Sequence, residues 1–240
     1  MDMNFLVTTF QQILAVLPTT LALFALCVPI GAVLAMLILW MRMSANPILS
    51  GLAKTYIFFF RGTPLLIQMF LIFYGLAQFM FFHLPPMWWV LASRFWTAVM
   101  CLAFCTAAYS AEIFRGGLLA VPAKEIEAAR AIGMSGFKLL RRIIAPNALR
   151  QALPAYSTEV VLMLKSTSLA GLIGVVEMTG VAQAVGRRTL HEVATLALTG
   201  IIYLTVGFLA ILALGWVERL LSPHLRFMPP SAQTPRTIVG

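Results

Sequence analysis

Four stretches of this 240-residue chain carry no Asp, Glu, Lys or Arg: 3–41, 62–93, 95–111 and 193–217. A charged side chain at the centre of a bilayer costs at least about 2.5–3.5 kcal/mol, and about 20 apolar residues span the hydrocarbon, so each stretch can hold a crossing helix. A fifth, more polar stretch, about 151–173, completes five expected spans. The rest of the composition agrees. Apolar residues make up 61 % of the chain and charged ones 10 %, and mean hydropathy is +0.93, which excludes an ordinary globular domain. The expected fold class is all-α, an integral membrane protein of about five transmembrane helices.

The net charge of +9 fits nucleic acid on its face, but the placement of the charges argues for topology instead. With the amino end outside, thirteen Lys and Arg fall on inner segments and three, Arg94, Arg187 and Arg188, on outer ones, with Lys165 left inside a span. The positive-inside rule then places the 112–150 segment and the carboxyl end in the cytoplasm. The start MDMNFLVTTF lacks a basic n-region, so the first apolar stretch is expected to stay as a helix and not to be cleaved. The expected division is a periplasmic lead at 1–13, a membrane domain at 14–220 and a cytoplasmic tail at 221–240, Pro-, Ser- and Thr-rich from Met228 and expected to be disordered at its end.

Taken in order, the expected helices are Leu14–Met41, interrupted by Pro18 and Pro29, then Thr63–Phe82, Arg94–Ala111, Gln151–Ile173 and Val193–Val217. Asn46, Pro47, Ser50 and Gly51 make Met43–Arg61 a turn-rich connection. His83, Pro85, Pro86, Trp88 and Trp89 read as an interfacial turn with an aromatic belt. Cys27, Cys101 and Cys105 all fall inside spans and are expected to be packing thiols, and His83 has no ligand partner nearby in sequence, so no metal site is expected.

Val121–Pro146 is the most polar long segment. Pro122 suits a first helical position, Ala123–Ile132 is rich in helix formers, and Gly133 can close that helix in the left-handed conformation. Ser135 can cap a second helix over Gly136–Ile144, with Pro146 as its stop. Phe137, Leu140, Ile143 and Ile144 share one face of it, the pattern of a helix lying on another surface. The plain alternative is a basic cytoplasmic loop.

Within the fourth span, Glu159 and Lys165 call for partners, and six residues apart they do not face each other. Tyr156, Glu159, Met163 and Ser166 share a face and are candidates to line a water-filled path for a cationic or amino-bearing solute; the alternative is a salt bridge from Glu159 to a loop arginine or a partner subunit. Gly171, Gly174, Glu177, Thr179 and Gly180 suggest an irregular connection, making Gly174 and Glu177 gate candidates.

Glu127, Ala128 and Ala129, then Gly133, Ile143 and Pro146, resemble in residue and spacing the EAA loop of ABC importer permeases; Ala145 departs from the Leu usual there. FRGTP at 60–64, Gln68, FYG at 73–75, AYSAEIFRGG at 108–117 and LPAYSTEVVLMLKSTSLA at 153–170 extend the resemblance to the polar amino acid permeases, most closely the histidine, lysine, arginine and opine type. The resemblance implies a MetI-like five-span core in the bacterial inner membrane. It implies a coupling helix at the EAA loop that docks on a dimeric ABC ATPase, and a second, similar permease, as heterodimer or homodimer. It also implies a periplasmic solute-binding protein that delivers the amino acid. The chain has no GxxxxGK[ST] loop, so ATP would be bound and hydrolysed by the partner, and no cofactor or catalytic residue is expected here. Two rivals are weighed: an ion-gradient-driven secondary transporter, which would need more intramembrane acids than Glu159 and Glu112, and a non-transporting membrane scaffold.

Overall fold

The computed structural model describes residues 3–75, 78 and 90–221, which are helical almost throughout and contain no strand. The expected aromatic belt at 83–89 and the tail from Met228 lie outside the described residues. Helices α1 (Met3–Ala15) and α2 (Leu17–Met43) are separated only by Val16, so the lead and the first span form one apolar stretch of 41 residues. Pro18 falls in the first turn of α2, where no donor is missed.

The turn-rich connection proves to be a helix, α3 (Pro47–Gly62). Asn46 and Pro47 are not turn residues here but a start signal: the Asn46 side chain accepts from the Ile48 N–H at 2.9 Å and Pro47 opens the first turn. Ala53 and Ile57 of α3 are buried against α2 and the later Arg94–Leu119 helix.

From α3 the chain turns through 107° into α4 (Leu65–Phe70), which continues as a π-helical turn, Leu71–Gly75. Pro64 has no N–H to give to Phe60 O, which would be its partner in a continuing helix. Gln68, 2 % exposed, supplies it: its Nε2 donates to Phe60 O at 2.9 Å, Thr63 O at 2.9 Å and Thr63 Oγ1 at 2.7 Å.

Helix α5 (Arg94–Leu119) is the centre of the bundle and runs eight residues past its expected end at Ala111. Glu112 and Arg115 did not end it, because they pair with each other and with α2: Glu112 Oε2 accepts from Arg115 Nε at 2.8 Å, and Arg42 Nε stands 3.4 Å from Glu112 Oε1. The main core joins Leu23 and Cys27 of α2, Met69 of α4 and Ala98, Val99, Cys101, Leu102 and Ala103 of α5. Cys105 is buried too, so all three cysteines are free thiols inside the packing. Small residues on α5 let backbones approach closely, as at membrane helix crossings. A Cβ added at Gly31 of α2 would run into Thr106, and one added at Gly117 would stand 2.5 Å from Ala148 O.

After α5 come α6 (Ala123–Ala131) and α7 (Gly136–Leu139), the latter passing through a π-helical turn, Leu140–Ile144, into α8 (Ala145–Ser166). Pro146 does not stop the second loop helix. It sits in the first turn of α8, directly after the π turn, where Ala145 N–H bonds Leu140 O five residues back and the widened turn carries the helix past the proline. A 3-10 turn (Thr167–Ile173) ends α8, a 48° bend leads to α9 (Met178–Thr189), and α10 (Glu192–Leu221) closes the chain.

Among the described residues three helical stretches are long and apolar enough to cross a membrane, Met3–Met43, Arg94–Leu119 and Glu192–Leu221; counting each bent pair as one span gives five. On α10 the buried residues are Thr195, Thr199, Ile202 and Gly207, so an apolar perimeter including Leu204, Phe208 and Trp216 is left exposed. That is the profile of a surface solvated by lipid tails.

Candidate functional site

The polar hairpin after α5 folds as two short helices about a glycine hinge. Gly133 has φ +81° and closes α6 with a paired bond set: Gly133 N–H donates to Arg130 O at 2.9 Å and Met134 N–H to Ala129 O at 3.0 Å. This is the Schellman arrangement, in which a left-handed residue satisfies the last carbonyls. Ser135 holds the extended backbone of a cap, although its hydroxyl makes no capping bond, and Gly136 follows at φ +52°. Pro122 occupies the cap position, one residue before the first helical position expected for it.

The hairpin is pinned by few residues. Val121, Ala129 and Leu139 are buried, whereas Glu127, Ala128 and Gly133 are exposed and Ile143 and Pro146 half-buried. Ile132 is 75 % exposed and Phe137 73 %, with Leu140 exposed beside them. Phe137 and Leu140 of the expected face are therefore bare apolar surface, and Lys138, Arg141 and Arg142 are exposed around them. Large apolar side chains left exposed among charged ones are a feature of surfaces that contact other proteins.

On α8, Tyr156, Glu159 and Met163 lie in one strip facing α5. Glu159 is 5 % exposed and its Oε1 accepts from Thr106 Oγ1 of α5 at 3.0 Å. Tyr156 is half-buried, its ring 5.1 Å from that of Phe114 and tilted to it by 41°. Met163 is buried; Ser166, at the end of the strip, is half-buried and its hydroxyl donates to Leu162 O at 2.9 Å. Lys165 is exposed on another face, so it and Glu159 are not brought together. Thr106 and Phe114 were missed by sequence reasoning: they lie far from α8 in the chain, and no local pattern marks a hydroxyl as a carboxyl's partner.

At the other end of α8, Gly174 ends the 3-10 turn at φ +84°, with Arg94 packed over it. Glu177 is fully buried and caps α9, accepting from Thr179 N–H at 2.9 Å and Gly180 N–H at 2.7 Å. Its Oε2 also accepts from Tyr203 of α10 at 3.1 Å, while Met178 N–H donates to Thr20 of α2 at 3.3 Å. Gly171 and Gly180 make room for this carboxylate, which a Cβ on Gly171 would strike. One side chain thus joins the bend to α9 and α10.

The chain is thus a bundle of membrane-length helices with an exposed, glycine-hinged hairpin after α5. Residues 27–223 match the family described as the binding-protein-dependent transport system inner membrane component, and the chain belongs to that family. It is 48 % identical over 225 residues to the octopine transport system permease protein OccM of Rhizobium meliloti, covering 94 % of this chain and 92 % of that one. It is 33 % identical over 222 residues to the arginine ABC transporter permease protein ArtM of Haemophilus influenzae, covering 91 % and 97 %. Among solved structures it is similar to an amino acid ABC transporter crystallised with histidines, at a TM-score of 0.81 and 32 % identity over 91 % of this chain and 98 % of that one. The chain is therefore a multi-pass inner-membrane permease of an ABC importer, working with a solute-binding protein and an ATPase.

Proposed function

We propose that this permease carries a basic amino acid or an opine from periplasm to cytoplasm. It would act as one of two similar subunits, a heterodimer in our reading, docked on an ATPase dimer. The observation that carries the reading is the bare apolar hairpin of Ile132, Phe137 and Leu140 behind a glycine hinge, in a chain whose relatives are named for octopine and arginine. Glu127, Ala128, Ala129, Gly133, Ile143 and Pro146 form the ATPase-coupling element. ATP-driven closure of the motor brings the two hairpins together and tilts the helices that follow them. The hairpin must contact the motor differently in its two states, since a partner with equal affinity for both shifts nothing.

The substrate path runs past Tyr156, Glu159, Met163 and Ser166. Among the described residues Glu159, a carboxyl in an apolar bundle, is held by a single side-chain hydrogen bond, which leaves it free to receive an amino or guanidinium group when the helices part. Gly174 and Glu177 sit at the outer joint of the bent span and serve as its gate. The thirteen-to-three distribution of basic residues supports a periplasmic amino end and a cytoplasmic hairpin and carboxyl end. In that arrangement residues 1–13 are the outer lead, 14–220 the permease domain with its hairpin within 112–150, and 221–240 the inner tail.

The test is co-purification with the products of the neighbouring genes, followed by an ATPase assay with a periplasmic binding protein loaded with arginine, histidine or octopine. Stimulation by the loaded protein is the expected result. A chain that purifies without an ATPase and transports along an ion gradient would overturn the reading.

A further inference from the structure

The hairpin is built to be soft: two positive-φ glycines, Gly133 and Gly136, stand between α6 and the helix that leads into α8. A push delivered to α6 through those glycines alone would be absorbed by the hinge. One polar contact bypasses it. Asn147 Nδ2 in the first turn of α8 donates to Glu125 Oε2 in the first turn of α6. Among the described residues this is the only side-chain hydrogen bond or ion pair that joins residues 123–144 to the rest of the chain.

Resting on the importer reading, we propose that Glu125 and Asn147 form the strut that transmits movement of the coupling helix to α8. Neither residue belongs to the EAA pattern, whose Glu127 is exposed and bonded to nothing described. The two ends of the strut sit on rigid elements, because α6 is closed by its Schellman bonds and the first turns of α8 are wedged against Gly117 of α5 through Ala148 and Ala152. Glu159 lies twelve residues beyond Asn147 on the same helix, about 18 Å at 1.5 Å per residue. Displacing Asn147 therefore tilts α8 about its contact with α5 and moves Glu159 relative to Thr106. The pair acts as positioning residues and touches no substrate.

The experiment compares Glu125→Ala, Asn147→Ala, the double variant and Glu125→Gln, each reconstituted in vesicles with its ATPase and binding protein. Two quantities are read: the amount of assembled complex, and the substrate moved per ATP hydrolysed. Each alanine variant should assemble and lower the second quantity about three- to tenfold, the scale of one hydrogen bond. The double variant should be no worse than either single one, and Glu125→Gln, whose amide oxygen still accepts from Asn147, should restore coupling. Singles coupled like wild type, a double that multiplies the two losses, a Gln variant as poor as Ala, or loss of assembly in the alanine variants would each overturn the strut. A wild-type complex that moves no substrate with ATP would sink the importer reading itself, and so is told apart from failure of the strut alone.

Discussion

Gly116 and Gly117 are neighbours near the end of α5, yet they should answer the same substitution differently. A Cβ at Gly116 would meet nothing within 4 Å, whereas one at Gly117 would stand 2.5 Å from Ala148 O, 2.8 Å from Ala152 Cβ and 3.2 Å from Ala152 N. Both residues gain the same helix propensity on becoming Ala, about 0.8–1 kcal/mol, and this gain cancels in their difference. Comfortable carbon contacts begin near 3.5 Å, so Gly117→Ala must push α5 and α8 apart by roughly 1 Å along their crossing. Overpacking of that kind costs about 1–3 kcal/mol. Gly116→Ala should therefore be as stable as wild type or slightly more so, and Gly117→Ala less stable than Gly116→Ala by about 1–3 kcal/mol. The assay is built into the protein: Cys27, Cys101 and Cys105 are buried free thiols, so a thiol-reactive dye reports unfolding of the detergent-purified chain as temperature rises. Equal midpoints for the two variants would refute the close crossing at Gly117, whatever the absolute values.

Glu177→Ala removes a helix cap and the carboxylate that accepts from Tyr203, and should cost at least about 0.5–2 kcal/mol, read by the same dye. Gly133→Val forces a β-branched residue to φ +81°, a strain of about 1–2 kcal/mol. It should lower transport per ATP while the transmembrane bundle keeps its melting point; normal transport at normal expression would defeat the hinge argument. Thr106→Val keeps the shape but takes the one hydrogen bond from Glu159 and should destabilise by about 1–3 kcal/mol. Thr106→Ser, which keeps the hydroxyl, should recover most of that, and an unchanged Val variant would show that the carboxyl has another partner.

The spans were legible because lipid forbids charge over about 20 residues, and that constraint is written in one dimension. The hinge at Gly133 was legible for the same reason, since a left-handed residue is a local demand. Asn46 and Pro47 carried their meaning locally too, but it was assigned to a turn instead of a helix start. Pro146 misled because the helix does not stop at it but widens to a π turn just before it and runs on. What no reading of one strand of sequence supplied were the partners across the bundle: Thr106 for Glu159, Tyr203 for Glu177, Arg42 for Glu112 and Asn147 for Glu125. These pairs lie from 22 to 70 positions apart, and only the helix crossings decide who meets whom.

The corner between α3 and α4 has a consequence for how this chain can drift. A right-angled bend in a helical membrane protein normally exposes carbonyls to a medium with no donors, and here a single carboxamide closes the gap left by Pro64. Glu would present oxygen to oxygen, Leu or Met would leave the carbonyls bare, Asn would fall one methylene short, and Lys or Arg would bring in a charge. Position 68 is thus a site where the genetic code offers no near synonym. Pro64, about one helical turn before it, creates the need for that carboxamide, so Gln68 can be exchanged freely only where the proline is exchanged too.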